Sequence, residues 1–313
     1  MKYSIRIFSC AIILAFSSCA TVPLPFAEKP SERGQTVVIW AHSDIQPRDA
    51  EEKTQYECAI DDVRRNIGYI DAAIVAGDIV QAASSGDADA DFAWFNRVRA
   101  AASVGRWYEI SGNHDARMQP AYDRAIKKPL HYAEKMGNLL MIFMSDENGQ
   151  TSGTEISDKA FNWWRDLVEC NQDKIIMTVT HTNLDHAGFR FALLPYRNIY
   201  GSKRFEDVLK KYRVDVWLSA HTHTPSKLNM NEVLPGTYGN NTLFLNVASI
   251  RRDFFFSNVE SRMLLFTKGS PTLTVKTRYH DSETYIDMRE FSIRLSHPFE
   301  WDGSEPEMIP FKD

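Results

Sequence analysis

Five short segments of this chain carry side chains that bind cations or move protons. They are His42–Ser43–Asp44–Ile45–Gln46, Gly77–Asp78–Ile79–Val80–Gln81, Gly112–Asn113–His114–Asp115, Thr180–His181–Thr182–Asn183 and Ala220–His221–Thr222–His223. Carboxylate, amide oxygen and imidazole are borderline-to-hard ligands, suited to Mn, Fe, Zn or similar ions and not to thiolate chemistry. Two aspartates, an asparagine and three to four histidines exceed what one ion needs. Two ions a few ångströms apart, bridged by one aspartate, would use them all.

Each segment follows an apolar run that reads as a strand. Thr36 to Ala41, Ala72 to Ala76, Arg106 to Ile110, Ile175 to Val179 and Val214 to Leu218 precede the five polar ends, and Leu139 to Met144 is a further strand. Helical spacing lies between them. Tyr56, Ile60, Val63 and Ile67 repeat on one face before Gly68, Phe92 to Ala102 reads as a helix, Ser157 can cap one that buries Phe161, Trp164 and Val168, and Phe205, Val208 and Leu209 mark a short one. Later the helical signal fades into strands at Thr242 to Val247, Met263 to Phe266 and Leu273 to Thr277, the last two around a Lys268–Gly269–Ser270–Pro271 turn. Alternation followed by strands predicts a layered α/β fold with a mixed second sheet. Ligands in such folds bind beyond the carboxyl ends of strands, so the five polar ends are expected to converge.

These blocks, in this order, resemble the calcineurin-like metallophosphoesterases, over roughly Val37 to His223. The resemblance implies a four-layer α/β/β/α sandwich with two mixed sheets. It also implies phosphomonoester or phosphodiester hydrolysis by a dinuclear centre of two divalent ions (Mn, Fe, Zn or Mg) through a metal-bridging hydroxide. Carried over block by block, Asp44 and His223 would bind the first metal and Asp78 would bridge. Asn113, His181 and His221 would bind the second. His114 would face the substrate as general acid or hydrogen-bond donor, with Asp115 orienting it.

The chain departs from the family pattern at three places. Gln81 stands where Asn or Asp is usual, Ala220 replaces a glycine, and Gln46 replaces a histidine that ligates the first metal. An amide oxygen is neutral and a weaker donor than imidazole, and it favours harder ions such as Mn or Mg. His42 lies two residues earlier and, on a regular strand, shares the face of Asp44 and Gln46. Either Gln46 serves the first metal with His42 as support, which is the favoured reading, or His42 substitutes; a satisfied core histidine is the bland alternative. A degraded site, leaving a binding or structural lipoprotein, is the competing functional class, and it has only Gln46 and Gln81 in its favour.

Other polar residues carry weaker signals. His186 sits in a loop with Asp185, and His131, His280 and His297 read as structural. Asp87, Asp89 and Asp91 look like the start of a calcium loop, but the glycine at the sixth position and the glutamate at the twelfth are missing, so an acidic helix start fits better. Arg117 is a candidate phosphate contact or a surface residue. Arg251 and Arg252, before Phe254–Phe255–Phe256, could line a pocket or a partner surface. Cys58 and Cys170 both fall in expected helices, which leaves their pairing open.

The 313 residues are 43% hydrophobic with a formal net charge of −5, which is ordinary globular composition. No basic footprint of a nucleic-acid binder is present. Lys2 and Arg6 precede an apolar run from Ile7 to Phe16 and then Ser17–Ser18–Cys19, the pattern of a secretory signal. The last residues resemble a bacterial lipobox, apart from Phe16 in place of a Leu, Val or Ile. The expected organisation is a leader over 1–19, a proline-bearing tether over 20–35 and one catalytic domain over 36–313. Export follows, with a lipid anchor on Cys19 holding the protein at a bacterial membrane, periplasmic or at the cell surface.

Overall fold

The computed structural model describes residues 35–81, 87–149, 152–185, 197–237, 241–253 and 257–312. The leader, Cys19 and nearly all of the tether lie outside them, as do His186 and Phe254–Phe255–Phe256. No helix among the described residues is long and apolar enough to cross a membrane.

Two seven-stranded sheets stack face to face. The first contains β1 (Thr36–His42), β2 (Ala72–Val75), β3 (Trp107–Glu109), β10 (Glu260–Thr267), β11 (Thr272–Tyr279), β12 (Thr284–Tyr285) and β13 (Phe291–Arg294). Its order is β12-β11-β10-β1-β2-β3, with β13 on β11. The second contains β4 (His131–Met136), β5 (Leu139–Met144), β6 (Ile175–Thr180), β7 (Val216–Ser219), β8 (Glu232–Val233), β9 (Leu243–Asn246) and β14 (Glu307–Pro310), in the order β14-β4-β5-β6-β7-β9-β8. Both are mixed. The strands β1, β2 and β3 run parallel while β10 and β11 are antiparallel, and β5, β6, β7 and β9 run parallel while β4 and β8 are antiparallel.

Strand periodicity builds the layers. Val37, Ile39, Ala41, Ile74 and Ala76 face Met141, Phe143, Met177, Val179 and Leu218 in the core between the sheets. The alternate residues Val38, Trp40, Ala73 and Val75 pack under α1 (Ala50–Asp62), α2 (Ala88–Arg99) and α4 (Gln119–Ile126). Leu140, Ile142, Ile176 and Trp217 pack under α5 (Asp158–Cys170) and α6 (Ser202–Leu209). A one-turn helix, α3 (Asn113–Ala116), follows β3. This is the four-layer α/β/β/α sandwich expected from the resemblance. The strands after His223 complete both sheets.

Local signals explain most boundaries. Asp49 caps α1 by accepting from the Glu52 amide, Ser157 caps α5 through the Ala160 amide, and Gly68 closes the π-turn after α1 at φ 83°. Asp87 caps α2, with Asp89 and Asp91 in its first turn. That settles the acidic run as a helix start. Cys58 and Cys170 are both exposed and free. Strand β4, sequence His-Tyr-Ala-Glu-Lys-Met, is buried although two of its residues are charged, and so has no apolar run to announce it. Gly137, at φ 59° in the two-residue turn to β5, is the signal that marks it.

Candidate metal centre

All five polar segments lie at carboxyl ends of parallel strands: β1, β2 and β3 from one sheet, β6 and β7 from the other. Backbone bonds tie them together. The Asp44 and Gln46 amides donate to the carbonyls of Gly77 and Asp78, both at 3.1 Å, and the Ala220 amide donates to the His181 carbonyl at 2.8 Å. Gly77 and Gly112 permit this closeness. A Cβ on Gly77 would meet the Gly112 nitrogen and His181 Nδ1 at 2.7 Å, and one on Gly112 would meet Asp78 Oδ1 at 2.3 Å.

Four predicted ligands sit in left-handed backbone: Asp44 (φ 53°), Asp78 (54°), His221 (67°) and His223 (49°). They are half of the eight non-glycine positive-φ residues among the described residues. Such conformations are held at a cost of about 1–3 kcal/mol each and cluster where function needs them.

Two foci result. Asp78, His181 and His221 each place one ligand atom within 4.8 Å of the others. His181 Nε2 is 3.1 Å from Asp78 Oδ2 and 3.2 Å from His221 Nδ1. Its Nδ1 lies 2.7 Å from the Ala76 carbonyl, which accepts only; the proton therefore sits on Nδ1 and Nε2 faces the cluster. The His114 amide donates to Asp78 Oδ1 at 2.9 Å. At the second focus His223 Nε2 is 3.1 Å from Asp44 Oδ1 and 3.1 Å from Gln46 Nε2. His181 Nε2 is 4.0 Å from Asp44 Oδ1, so the foci adjoin.

The buried atoms without a partner include Gln46 Oε1 and Asn113 Oδ1. Asp44 Oδ1 has only the His223 ring beside it, and the oxygens of Gln46 and Asn113 have no donor at all, a need that a divalent cation satisfies. The electrostatics agree. Burial opposes the charged form of His181, yet the Asp78 and Asp44 carboxylates raise its pKa to about 10. Burial likewise opposes charge on His223, and Asp44 and Asp253 raise it to about 9. His221 is pushed well below the ordinary value by burial and by His181. Without metal, protons on His181 and His223 offset the carboxylates, and a cation would take their place.

Two expectations are corrected. His42 does not share the face of Asp44 and Gln46, so the alternative in which it replaces Gln46 at the first metal falls away. β1 ends at His42, and the left-handed turn at Asp44 breaks the alternation that would have put His42, Asp44 and Gln46 on one face. His42 instead stacks on Trp40 at 4.0 Å beneath α1, with Tyr56 beside it. Asp115 does not orient His114. Its carboxylate accepts from the amides of Ile79, Val80 and Gly112 at 2.9–3.1 Å, which pins the β2 turn to the β3 turn. His114 itself is half-buried, with Nδ1 unpartnered and its pKa lowered by burial.

Two residues of the site, Arg197 and Asp253, carry no assignment in the sequence, and Arg251 carries only that of lining a pocket or a partner surface. Arg197 Nε lies 3.2 Å from His221 Nε2. Asp253 bonds His223 Nδ1, and the buried Arg251 grips Asp253. None belongs to a motif, and the last two arrive on the loop after β9. Arg117 spends its Nε on the Gly149 carbonyl at 2.6 Å. His131 pairs with Glu147, His280 with Asp62 and His297 with Ser296, all structural.

Residues 37–225 match the model of the calcineurin-like phosphoesterases. The chain belongs to this family. It is therefore a metal-dependent hydrolase of phosphoester bonds. No curated protein matches the phosphoesterase. Among solved structures it is similar to GAP50, described as the anchor in the inner membrane complex of Plasmodium, with 12% identity, a TM-score of 0.50 and coverage of 86% of this chain and 90% of that one. It is also similar to the E. coli phosphoesterase Yfce, with 11% identity, a TM-score of 0.41 and coverage of 83% and 100%. A putative 5'-nucleotidase from Staphylococcus aureus shares 14% identity with a TM-score of 0.45, over 89% of this chain and 55% of that one. At these identities the GAP50 likeness concerns the fold alone.

Proposed function

We propose that the phosphoesterase holds two divalent ions and cleaves phosphomonoesters or phosphodiesters by direct attack of water. Asp44, Gln46 and His223 would hold the first ion, Asn113, His181 and His221 the second, and Asp78 would lie between them. The observation that carries this reading is the Asp78–His181–His221 cluster, together with the buried, unpartnered oxygens of Gln46 and Asn113 and the Asp44 oxygen that faces only His223. When bound, such a pair polarises phosphoryl oxygens and makes water acidic enough to attack at neutral pH.

The chain's own residues then have distinct tasks. Asp78 keeps one oxygen on the His114 amide and leaves the other for the ions. His114 has a lowered pKa, so near pH 7 its ring is neutral and acts as an N–H donor to the phosphoryl or leaving oxygen. Arg197 is a cation at the rim of the site. If His221 gives its Nδ1 to an ion, its proton moves to Nε2, the bond from Arg197 is lost, and the guanidinium is free for a phosphate oxygen. The amide of Gln46 is two-fold in shape, so a half-turn brings its oxygen to the position that now faces His223.

The test is turnover of bis-p-nitrophenyl phosphate with Mn, Zn, Fe or Mg supplied in turn. Activity with at least one metal is expected, and His114→Ala should cut it while metal content stays near that of the parent. Folded protein inactive with every metal would overturn the reading. We also propose, from the leader pattern, export and lipid anchoring at Cys19. Labelling with a fatty acid that disappears in Cys19→Ala checks it.

A further inference from the structure

The loop that follows β9 contributes no residue to the motif blocks, yet it closes over the first focus. The Ile250 amide donates to the Ser43 carbonyl at 3.0 Å, and Ser249 Oγ donates to the Asp44 carbonyl at 3.2 Å. Arg251 is 5% exposed. Its Nε and Nη2 donate as a fork to Asp253 Oδ1 at 3.0 and 2.6 Å, and its Nη1 donates to the Gln46 backbone carbonyl. Asp253 Oδ2 takes the Nδ1 proton of His223. One arginine thus holds the backbone of Gln46 and, through Asp253, the ring of His223.

From this arrangement we infer that Arg251 and Asp253 are positioning residues that build the first metal site around the neutral ligand Gln46. The chemistry follows from hydrogen-bond polarity. An ionised carboxylate only accepts, so Asp253 keeps a proton on His223 Nδ1 and turns Nε2, the nitrogen that a cation would use, toward Asp44 and Gln46. A carboxylate behind an imidazole also makes that ring a stronger donor to a cation. His181, at the other focus, has only the neutral Ala76 carbonyl in that place. An ionised acceptor, held in place by Arg251, therefore stands behind the focus that has an amide where the family has an imidazole. The bidentate fork needs arginine: lysine offers one point charge and cannot hold both Asp253 and the Gln46 carbonyl in that geometry.

This inference rests on the proposed pair of ions, and one experiment separates the two. Mn2+ is titrated calorimetrically into metal-depleted full chain, with parallel electron paramagnetic resonance of the loaded protein. The parent should bind two ions and show the spectrum of a coupled pair. Asp253→Asn should weaken one site by about 10–100-fold and leave the other unchanged, so that the coupled spectrum gives way to that of an isolated ion. Arg251→Gln, which leaves the carboxylate in place, should weaken the same site less, and Asp253→Glu should recover part of the loss. A parent that binds no Mn2+, or one ion only, would overturn the paired-ion reading. A parent with two ions and an Asp253→Asn variant with two equally tight ones would overturn the role of Asp253. Equal weakening of both sites with a lowered melting temperature, in both variants, would show a merely structural role and also overturn it.

Discussion

Two buried polar clusters flank β1, and they are built on opposite rules. Beneath α1, Asp62 accepts from Asn66, Arg278 and His280; His280 in turn meets Ser261 Oγ at 2.7 Å, and Ser261 accepts from the Trp40 indole at 2.8 Å. Every atom in that chain has its partner. At the candidate metal centre the carboxylates, amides and imidazoles are as deeply buried, but Gln46 and Asn113 keep acceptors with nothing to accept from, and Asp44 Oδ1 has only the His223 ring. Satisfied polar networks hold a fold together, whereas unsatisfied ones in strained backbone are held for a ligand. The same residue types, histidine and aspartate, thus serve structure on one side of the strand and chemistry on the other.

The largest contrast is between the two aspartates. Asp78→Asn should reduce turnover by roughly a thousandfold or more, the scale of losing a group that stabilises transition-state charge. It should cost the metal-free chain less stability than Asp62→Ala does, because His181, unlike Arg278, can shed its extra proton when its carboxylate is lost, and activity and denaturation curves measured side by side will show it. Asp62→Ala should do the reverse. It leaves Arg278 buried without its carboxylate, and the expected loss is about 3–5 kcal/mol of stability. Metal bound per folded molecule should stay the same. If Asp62→Ala spared stability and removed metal, the division between the clusters would be wrong.

Acid and base should separate the clusters next. In the metal-free chain the pKa of His181 is raised to about 10 and that of His223 to about 9. Both rings hold an extra proton at pH 7, and metal must expel it. Apparent Mn2+ affinity should rise with pH, by up to about tenfold per pH unit for each proton displaced, and level off above pH 9–10. Titrations at pH 6, 7, 8 and 9 would show this slope, and a flat profile would contradict the protonation assigned to the two rings. The carboxyl of Asp62 is affected the other way. Burial alone would raise its pKa, but His280 and Arg278 depress it below the ordinary 3.8. Its contribution to stability is present above that value and is lost as pH falls through the folded value, so it stays constant across the metal titration range.

The smallest effect is expected at the residue that departs from the family. Gln46→His restores imidazole to the first focus and should tighten one Mn2+ site by no more than about tenfold, with a larger gain for Zn2+. His42→Ala should leave metal content unchanged and lower stability through lost packing against Trp40 and Tyr56. Metal content of the two variants, by elemental analysis, checks both statements.

The proposed metal ligands were legible in the sequence because each belongs to a short block at a strand end, and strand ends in a layered α/β fold share one rim. The layers were legible because alternate apolar residues mark two buried faces. Three things were not. The turn at Asp44 reverses the side-chain direction that strand alternation predicts, so His42 looked like a neighbour of the site. Asp115 stands beside His114 in the chain, yet its oxygens meet amides of the β2 turn, a contact that only the folded chain makes. Asp253 lies thirty residues past the last block in a loop without pattern, and only the closure of that loop over Asp44 gives it, and the task of Arg251 beyond lining a pocket, a meaning. Strand β4 was hidden by its own Glu134 and Lys135, although the Gly137–Asn138 pair after it is the kind of turn that joins two strands.

The central claim is that the buried oxygens of Asp44, Gln46, Asp78 and Asn113 exist for two cations that act together. It is tested most directly by adding Mn2+ in measured equivalents to metal-depleted chain while following hydrolysis of bis-p-nitrophenyl phosphate. The account predicts a rate that climbs until two equivalents are bound and then stays level. A rate that saturates at one equivalent, or that ignores added metal altogether, would contradict it.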